Sequence, residues 1–419
     1  MVLENSSATE DSIRRAEILQ TAETLIATYG LRTSLQEIAT AAGILTGSLY
    51  HHFASRDALL LELVRRYHTE LDRIGARGLE RLDTNDGATV SDRLVELSAD
   101  IAGCAVHNRA ALQMSFYEAP SNGPELVSLL GRRPEAVHDA MVQTLRAGRW
   151  SGYVRPELDF TSLADRMCQT MLHVGLDVIR RDDPPEQVAA LLCRIMTEGL
   201  AERAPDDTEL DGSAAFVAAD TIVGTWGEGD AADDRPSRIR AAAVKVFGRK
   251  SFEVTTVRDI AAEAGLNVAT VHRVIGSKSD VLSAMMRSFG EKIATAMAAV
   301  MAAEASSVAK LDALSWVYIN AVTRFPDEWK VQLAWMRHSP PDHPDPGHEF
   351  GIRMHQLEDL LVEGIRDGQI QLDAPPDLLS RCVMDVLWMP ENIIRTIGAR
   401  AALTLARDTV VRGISIRSN

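Results

Sequence analysis

The sequence predicts an all-helical protein made of two repeats, each with a three-helix unit and a larger helical domain. The main evidence is a pair of segments that align without a gap, Thr33 to Leu60 and Thr255 to Leu282, which begin 222 residues apart. Long amphipathic helical patterns with polar breaks follow each segment. This spacing is too long for a solenoid unit, so the repeat indicates a duplication of whole domains.

The two segments match at the positions that a helix-turn-helix needs. The identical pairs are Thr33/Thr255, Ile38/Ile260, Ala39/Ala261, Ala42/Ala264, Gly43/Gly265, Ser55/Ser277 and Leu60/Leu282. Most other pairs are alike in size and polarity. A plain helical hairpin that binds nothing would not need matching caps, glycines and core positions, so the pattern favours a DNA-binding motif present twice.

A helix is expected before each motif, because apolar residues recur there at helical spacing. They are Ile18, Ala22, Leu25 and Ile26 in the first half, and Ile239, Ala243, Val246 and Phe247 in the second. The next helix should start at Ser34, with Glu37 in the capping-box position. Thr256 and Asp259 repeat this arrangement with a shorter acid.

A glycine turn leads to the helix that would enter the major groove. Gly43 and Gly265 can adopt the left-handed conformation of such a turn. The second helix spans Leu45 to His52, or Asn267 to Val274, and only Asn267 supplies a good N-cap. Its outer face carries small, polar and aromatic side chains that suit base edges and phosphates. The candidate DNA-contacting residues are Ser34, Thr46, Ser48, Tyr50, His51, His52 and Arg56 in the first copy, and Thr256, Asn267, Thr270, His272, Arg273 and Lys278 in the second.

The end of the first recognition helix carries a family resemblance. Leu49-Tyr50-His51-His52-Phe53, followed by Ser55-Arg56-Asp57, resembles the signature of the TetR family of bacterial transcriptional regulators. Residues 147–159 resemble the glycine-containing turn before the family's last two helices, and 363–370 with Pro375-Pro376 are a looser counterpart. The resemblance implies two complete repeats, a phosphate contact by His52, and a repressor that works as a homodimer and responds to a small molecule in its C-terminal domain.

The second recognition helix departs from this signature. Val271-His272-Arg273-Val274-Ile275 stands where the first copy has Leu49-Tyr50-His51-His52-Phe53. The two helices therefore cannot recognise the same base sequence. Either the operator is asymmetric, or one copy has lost specific contact. Arg273 can contact guanine or a phosphate, and its position late in the helix favours phosphate.

Charge is distributed unevenly between the two copies. The whole chain carries a net charge of −15. Residues 235–282 hold nine Lys/Arg and four Asp/Glu, a net charge of +5, whereas residues 11–60 hold four Arg and five Asp/Glu, a net charge of −1. We expect the second copy to provide most of the attraction to phosphates, although a solvated basic face is the alternative. The cations concerned are Arg235, Arg238, Arg240, Lys245 and Lys278.

The predicted domain boundaries follow these patterns. The first DNA-binding unit spans 11–60, and its helical ligand-binding and dimerisation domain spans 61–205. A polar, acidic linker covers 206–234 and contains an apolar stretch, Phe216–Trp226, that should pack on a neighbour. The second DNA-binding unit spans 235–283, and its ligand-binding and dimerisation domain spans 284–419.

Methionine and aromatic residues in the two larger domains are either ordinary core or the lining of an apolar effector cavity. The candidates are Met114, Phe116, Tyr117, Trp150 and Met171 in the first domain, and Trp316, Phe325, Trp335 and Trp388 in the second. Three histidines, His338, His343 and His348, could bind a metal, but a proline-rich surface loop is the favoured interpretation.

Other chemistry finds little support in the sequence. No motif indicates catalysis, a cofactor or a resident metal. The four cysteines show no metal or redox spacing and should be buried in a reducing compartment. The N-terminal residues lack the pattern of a secretion signal, so we expect a cytoplasmic protein.

These observations favour a DNA-binding transcriptional regulator, most consistent with a repressor that a small hydrophobic effector releases. We expect the two repeats to form a covalent pseudo-dimer on an asymmetric operator, joined through Thr161–Leu200 and Pro376–Gly413. One alternative is a homodimer of whole chains with four recognition helices. Another is a ligand-binding or interaction scaffold whose DNA-binding units are vestigial. An enzyme is the least favoured class.

Overall fold

A computed structural model of the protein describes residues 2–115, 123–181, 183–227, 234–250, 252, 254–338, 350–371 and 374–416. Within these ranges the secondary structure is helical, apart from two isolated β-bridges. The predicted all-helical fold with two repeats is confirmed. Among the described helices, none is long and apolar enough to span a membrane.

The first repeat places a compact three-helix unit on a bundle of longer helices. Its helices are α1 (Val2–Tyr29), α2 (Leu35–Ala41), α3 (Thr46–His52), α4 (Arg56–Leu82), α5 (Val90–His107), α6 (Arg109–Met114), α7 (Pro124–Leu130), α8 (Glu135–Trp150), α9 (Phe160–Arg181) and α10 (Pro185–Glu198). Helices α1 to α3 form the DNA-binding unit, and α1 begins well before the predicted start at residue 11. Helix α4 leaves this unit and packs against α8, while α5 packs against α9 and α10.

The second repeat follows the same plan after two connecting helices. The connecting helices are α11 (Asp207–Asp211) and α12 (Ala214–Gly224). The repeat itself contains α13 (Arg235–Lys250), α14 (Val257–Ala264), α15 (Val268–Ile275), α16 (Lys278–Ala302), α17 (Ser307–Arg324), α18 (Pro326–His338), α19 (Phe350–Arg366), α20 (Pro376–Leu387), α21 (Glu391–Ile397), α22 (Ala399–Ala406) and a π-helical turn (Arg407–Val411). Helices α13 to α15 form its DNA-binding unit.

The predicted linker is not a free tether. Helix α12 packs against α16 and α17, because its apolar side chains are buried on the second larger domain. The Phe216 and Trp316 rings stack with centroids 5.9 Å apart, and Trp226 contacts Phe325 at 5.5 Å. The apolar stretch therefore packs on a neighbour as expected, but this part of 206–234 belongs structurally to the second repeat.

The two repeats meet through their last helices and exchange backbone hydrogen bonds. Helix α10 packs against α20 and the π-helical turn. The amides of Leu200 and Ala201 donate to the carbonyls of Val410 and Val411, and those of Ile414 and Ser415 donate to Met196 and Thr197, at 2.8, 3.0, 3.1 and 2.9 Å. Each repeat thus gives the other the same two bonds. We refer to these four bonds as the reciprocal backbone pairing.

Two glycines allow this close approach. Gly199 and Gly413 both have positive φ angles, 72° and 75°. A Cβ at Gly199 would collide with the backbone of Arg412 and Gly413, and a Cβ at Gly413 would collide with Glu198 and Gly199. The two positions face each other about a local pseudo-twofold axis. Any side chain at either site would separate the repeats.

The two DNA-binding units are attached to their larger domains differently. The core of the first unit is continuous with the core that runs through both larger domains. The core of the second unit is a separate cluster around Phe247 and Ile260, to which α18 contributes Val331. The first unit is thus packed into the body of the molecule, and the second is docked on it.

A buried carboxylate connects the first unit to its larger domain. Glu23 of α1 is 7 % exposed and accepts a hydrogen bond from the Ala110 amide of α6 at 2.6 Å. The Gln113 side chain, also on α6, donates to the Ala27 carbonyl at 3.2 Å. Burial raises the pKa of Glu23 to about 7, against weaker opposing contributions from the Ala110 amide and nearby arginines.

The second unit is attached by a glycine instead. Gly248 of α13 is buried against Asp327 at the start of α18. A Cβ at Gly248 would lie 2.8 Å from the Asp327 Cβ, closer than van der Waals contact allows. Hydrogen bonds therefore attach the first unit to its larger domain, whereas close packing at a glycine attaches the second.

Candidate nucleic-acid interface

The first helix of each motif begins with a complete capping box. The Ser34 amide donates to the Glu37 carboxylate at 2.7 Å, and the Glu37 amide donates to the Ser34 hydroxyl at 3.2 Å. Thr256 and Asp259 make the same two bonds at 2.8 and 3.2 Å. The bonds from the Ser34 amide and hydroxyl lower the pKa of Glu37. Ser34 and Thr256 therefore fix the start of their helices, so their hydroxyls are already engaged.

The turn and the recognition helix follow as the sequence predicts. Gly43 and Gly265 have φ angles of 66° and 65°. The Asn267 side chain accepts from the Thr270 amide at 2.8 Å and caps α15. Leu45 precedes α3 without a side-chain cap and is 79 % exposed. The two recognition helices thus share a backbone path but differ in how firmly they start.

The first recognition helix presents most of its predicted residues to solvent. Tyr50 is 52 % exposed, and Ser48 and His51 are exposed beside it. Thr46 and His52 are half-buried. Leu49 is fully buried and anchors the helix on the core. This arrangement presents an aromatic and polar surface with the chemistry that base edges and phosphates can contact.

The second recognition helix presents a smaller surface than predicted. His272 and Arg273 are exposed, and Asn267 is exposed at the helix start. Thr270, expected on the same face, is only 8 % exposed, because it lies beside the fully buried Val271 on the core side of the short helix. The Thr270 side chain is therefore largely buried, and its contact with DNA stays a prediction.

The cations after the two motifs also have another role. Arg56 donates to the Leu31 and Thr33 carbonyls, and burial lowers its pKa. Lys278 donates to the Phe252 and Thr255 carbonyls at 2.5 and 3.0 Å. Both cations satisfy carbonyls in the loop before the motif, so they hold the motif onto the following helix. This contrasts with the predicted DNA contact for both residues.

The positive charge of the second unit is partly neutralised within the unit. Lys245 lies 2.6 Å from Glu263, and Lys250 lies 2.9 Å from Asp259. Arg238 donates to the Ala264 carbonyl at 3.4 Å. The expected phosphate attraction from Lys245 and Arg238 is therefore weaker than the net charge indicates, because acidic or carbonyl partners already engage these side chains.

Arg15 supports the first motif, although the sequence did not predict this role. Arg15 of α1 lies over the Phe53 ring, 4.3 Å from its centroid, and donates to the His52 carbonyl at 2.5 Å. It satisfies the C-terminal end of the recognition helix, where carbonyls lack helical partners. No local pattern around Arg15 indicates this, because its partners lie 37 residues later in the chain.

The predicted effector-cavity residues do not form one set. Met114 and Met171 are fully buried in the core. Trp150 is 89 % exposed at the end of α8, so it lines no cavity. Phe116 and Tyr117 lie outside the described residues, as do the side chain of Trp335 and the histidine-containing loop.

Two aromatic candidates of the second domain hold the connecting helix. The Trp316 indole donates to Asp220 of α12 at 2.9 Å, and Phe325 packs against Trp226. Trp388 differs from both. Its ring contacts Trp329 with centroids 4.9 Å apart, and its buried indole N–H has no acceptor among the described residues. Its role in binding an effector stays a prediction.

The four cysteines are buried, as predicted, and none of them forms a disulfide. Burial raises the pKa of Cys104, Cys168 and Cys193, so these thiols are protonated at neutral pH. Among the described residues, no group of histidine, cysteine and acidic side chains is arranged to hold a metal ion.

A protein-family model matches the chain at both motifs, and several known proteins resemble part of it. A model of bacterial regulatory proteins of the tetR family matches residues 18–63 and 239–285. The transcriptional repressor KstR2 of Mycobacterium tuberculosis (strain H37Rv) is 36% identical over 149 residues, which cover 35% of this chain and 72% of that protein. KstR2 of Mycolicibacterium smegmatis is 31% identical over 198 residues, covering 46% of this chain and 93% of its own length. A solved structure of the ketosteroid transcriptional regulator KstR2 of M. tuberculosis matches with 29% identity and a TM-score of 0.33, over 42% of this chain and 89% of that one.

Proposed function

The chain belongs to the TetR family of bacterial transcriptional regulators, and from this premise we propose that it represses transcription as a single-chain pseudo-dimer. In this proposal the two recognition helices occupy two unlike half-sites of one operator. A small hydrophobic effector bound in the larger domains releases the protein from DNA. The names of the KstR2 relatives support repression.

The reciprocal backbone pairing carries this proposal. It joins the last helices of the two repeats about a local pseudo-twofold axis, so each repeat supplies the surface that a second protomer would otherwise provide. Two helix-turn-helix units related in this way can contact half-sites about one helical turn, ~34 Å, apart.

The difference between the recognition helices supports an asymmetric operator. The first exposes Tyr50 and His51, and the second exposes His272 and Arg273. An aromatic surface favours apolar and stacking contacts, whereas Arg273 favours a phosphate or guanine. In our proposal Tyr50 contributes to base recognition in one half-site, and Arg273 binds phosphate in the other.

The stoichiometry of the DNA complex tests this function. Analytical ultracentrifugation with an operator of about two major-groove turns should give one chain per duplex. Footprinting of the same complex should show two protected half-sites of unlike sequence. Two chains on a perfect palindrome would instead support the whole-chain homodimer. A chain that binds no DNA at any salt concentration would support a scaffold with vestigial DNA-binding units.

A further inference from the structure

Two arginines are almost completely buried near the inter-repeat interface, and their surroundings differ. Arg407 is 2 % exposed, and its guanidinium donates to both oxygens of Asp312 at 2.9 and 3.0 Å and to Asp211 at 2.7 Å. These carboxylates compensate its charge, and they raise the pKa of Arg407 despite its burial. Such pairing is what allows a charge to be buried in a protein.

Arg166 is fully buried without such compensation. It lies on α9, where the first repeat contacts the end of α20 in the second repeat. Its terminal nitrogens donate to the Val386 carbonyl at 2.6 Å and to the Met389 sulfur at 2.9 Å. Within the described residues no carboxylate lies within ion-pair distance, and its Nε–H has no acceptor.

This burial has an energetic cost. An isolated charge taken from water into a protein interior costs several kcal/mol unless an opposite charge compensates it. Burial lowers the pKa of Arg166 to about 9, so the guanidinium remains charged at neutral pH. A carbonyl and a thioether are weak compensation for a full positive charge.

A second buried donor without an acceptor lies on the same short segment. The Trp388 indole N–H is buried and has no acceptor among the described residues. Trp388 is adjacent in sequence to Met389, which Arg166 contacts. Its ring packs edge-on against Trp329 and lies 6.4 Å from Tyr318, measured between ring centroids. The Nε–H of Arg166 and the indole N–H of Trp388 thus both lack acceptors among the described residues, and Met389, which Arg166 contacts, is the neighbour of Trp388 in the chain.

We propose that a largely apolar ligand with a carboxylate group binds at this junction, with its carboxylate accepting from Arg166 and Trp388 and its apolar part against the aromatic cluster. A carboxylate has two oxygens and can accept both N–H groups at once while compensating the charge. This inference rests on the proposed function, because it specifies the chemical class of the effector.

Among the described residues this site would occur once. Leu163 and Leu379 occupy equivalent places in α9 and α20, and the same register pairs Arg166 with Cys382. Cys382 is fully buried, forms no disulfide and supplies no positive charge. One arginine from the first repeat thus completes a site in the second, without a symmetric counterpart.

Thermal unfolding of the full-length protein tests the ligand class. The probes are decanoate and 2-naphthoate, each compared with its uncharged primary amide. We expect both carboxylates to raise the melting temperature more than their amides do. Arg166→Met should abolish this preference, with half-saturation by the carboxylates on the order of tenfold weaker or more, the scale of a lost charged hydrogen bond. Trp388→Phe, which keeps an aromatic ring without the N–H, should reduce the preference.

Urea unfolding without ligand separates a binding role from a structural one. Arg166→Met should raise the urea midpoint, because it removes an uncompensated buried charge. The control is Arg381→Met at the same interface, where Arg381 lies 2.7 Å from Asp183. That change should lower the midpoint and leave the carboxylate preference intact.

Three results would overturn the proposal. The first is a urea midpoint that falls in Arg166→Met as it does in Arg381→Met. The second is a melting temperature that the carboxylates and their amides raise equally or not at all. The third is a preference for carboxylates over amides that survives Arg166→Met. All these measurements are made without DNA. Failure of the ligand site is therefore distinguishable from failure of operator binding, which is measured on the same preparations without a probe.

Discussion

The two DNA-binding units have nearly the same helix-turn-helix geometry but different connections to the rest of the molecule. The first shares its core with the larger domains and is joined by Glu23 and Gln113 to α6. The second has a core of its own and contacts α18 through Gly248. The same motif therefore forms with two different attachments, and we expect any coupling between DNA binding and the larger domain to differ between the two units.

The largest effect is expected at the glycine contact of the second unit. Gly248→Ala places a Cβ 2.8 Å from the Asp327 Cβ and should destabilise the docked unit by about 1–3 kcal/mol, the cost of overpacking. Hydrogen exchange should accelerate in α13 to α15 and not in α1 to α3. Gly103→Ala in α5 is the control, because its Cβ meets nothing within 4 Å and should slightly stabilise the helix. Equal acceleration in both units would show that they are not attached independently.

The second-largest effect is expected at the recognition helix of the first unit. Tyr50→Ala should weaken specific DNA binding by about 1–3 kcal/mol, the scale of a lost base contact, because the exposed ring faces outward from α3. Protection should decrease in one half of the footprint. Tyr29→Ala, an exposed tyrosine at the end of α1, is the control and should leave affinity unchanged. Equal loss of protection over both halves would contradict the assignment of Tyr50 to one half-site.

The connection of the first unit should depend on pH. The folded-state pKa of Glu23 is raised from 4.5 to about 7, so the folded protein binds its proton more tightly than the unfolded chain does. The free energy of unfolding should therefore fall by about 1–3 kcal/mol as the pH rises from about 4.5 to about 7. Glu23→Gln should remove this contribution, because the amide stays neutral and its oxygen can still accept from Ala110. Urea unfolding at pH 5 and pH 8 measures the difference, and Glu17→Gln, exposed on the same helix, should retain the wild-type slope.

Exchange of the helix caps sharpens the comparison of the recognition helices. Asn267→Ala removes the cap of α15 and should cost about 1 kcal/mol. Leu45→Asn should supply the missing cap of α3 and stabilise the first unit by a similar amount. Chemical unfolding followed by far-UV circular dichroism measures both changes. If Leu45→Asn instead destabilises the protein, the apolar contacts of Leu45 contribute more to stability than the new cap does.

The smallest expected effect concerns Arg273. If it binds phosphate, Arg273→Ala should weaken binding uniformly across operator sequences and reduce the salt slope by about one unit. Titration at two salt concentrations against operators with shuffled second half-sites measures both quantities. Arg287→Ala, exposed on α16 away from the motif, is the control. A loss confined to one base position would instead indicate recognition of guanine.

Local rules predicted the two motifs well. Caps at Ser34, Thr256 and Asn267 and the turn at Gly43 depend on residues three or four apart, so the sequence determines them directly. The burial of Thr270 was not predictable from spacing, because a helix of eight residues leaves the boundary between its buried and exposed faces poorly defined.

Contacts between distant parts of the chain were not predictable in the same way. Arg56 and Lys278 were predicted as DNA contacts, and the sequence did not indicate that both would also donate to carbonyls more than 20 residues earlier in the chain. Trp150 shares its residue type with the core and lies on the surface, since composition does not specify which helix face is covered. The isolated charge of Arg166 became visible only with the packing of α9 against α20.

The contact between Gly199 and Gly413 also affects the protein concentration at which the paired repeats form. A regulator that assembles from two chains forms its active species in proportion to the square of the chain concentration when the protein is scarce. Partners joined in one chain meet at an effective concentration on the order of millimolar, whatever the number of molecules present. With the pairing made inside one polypeptide, we expect the amount of paired repeats to vary linearly with expression. Dilution during cell growth should then lower operator occupancy gradually, because the paired repeats do not dissociate into separate chains.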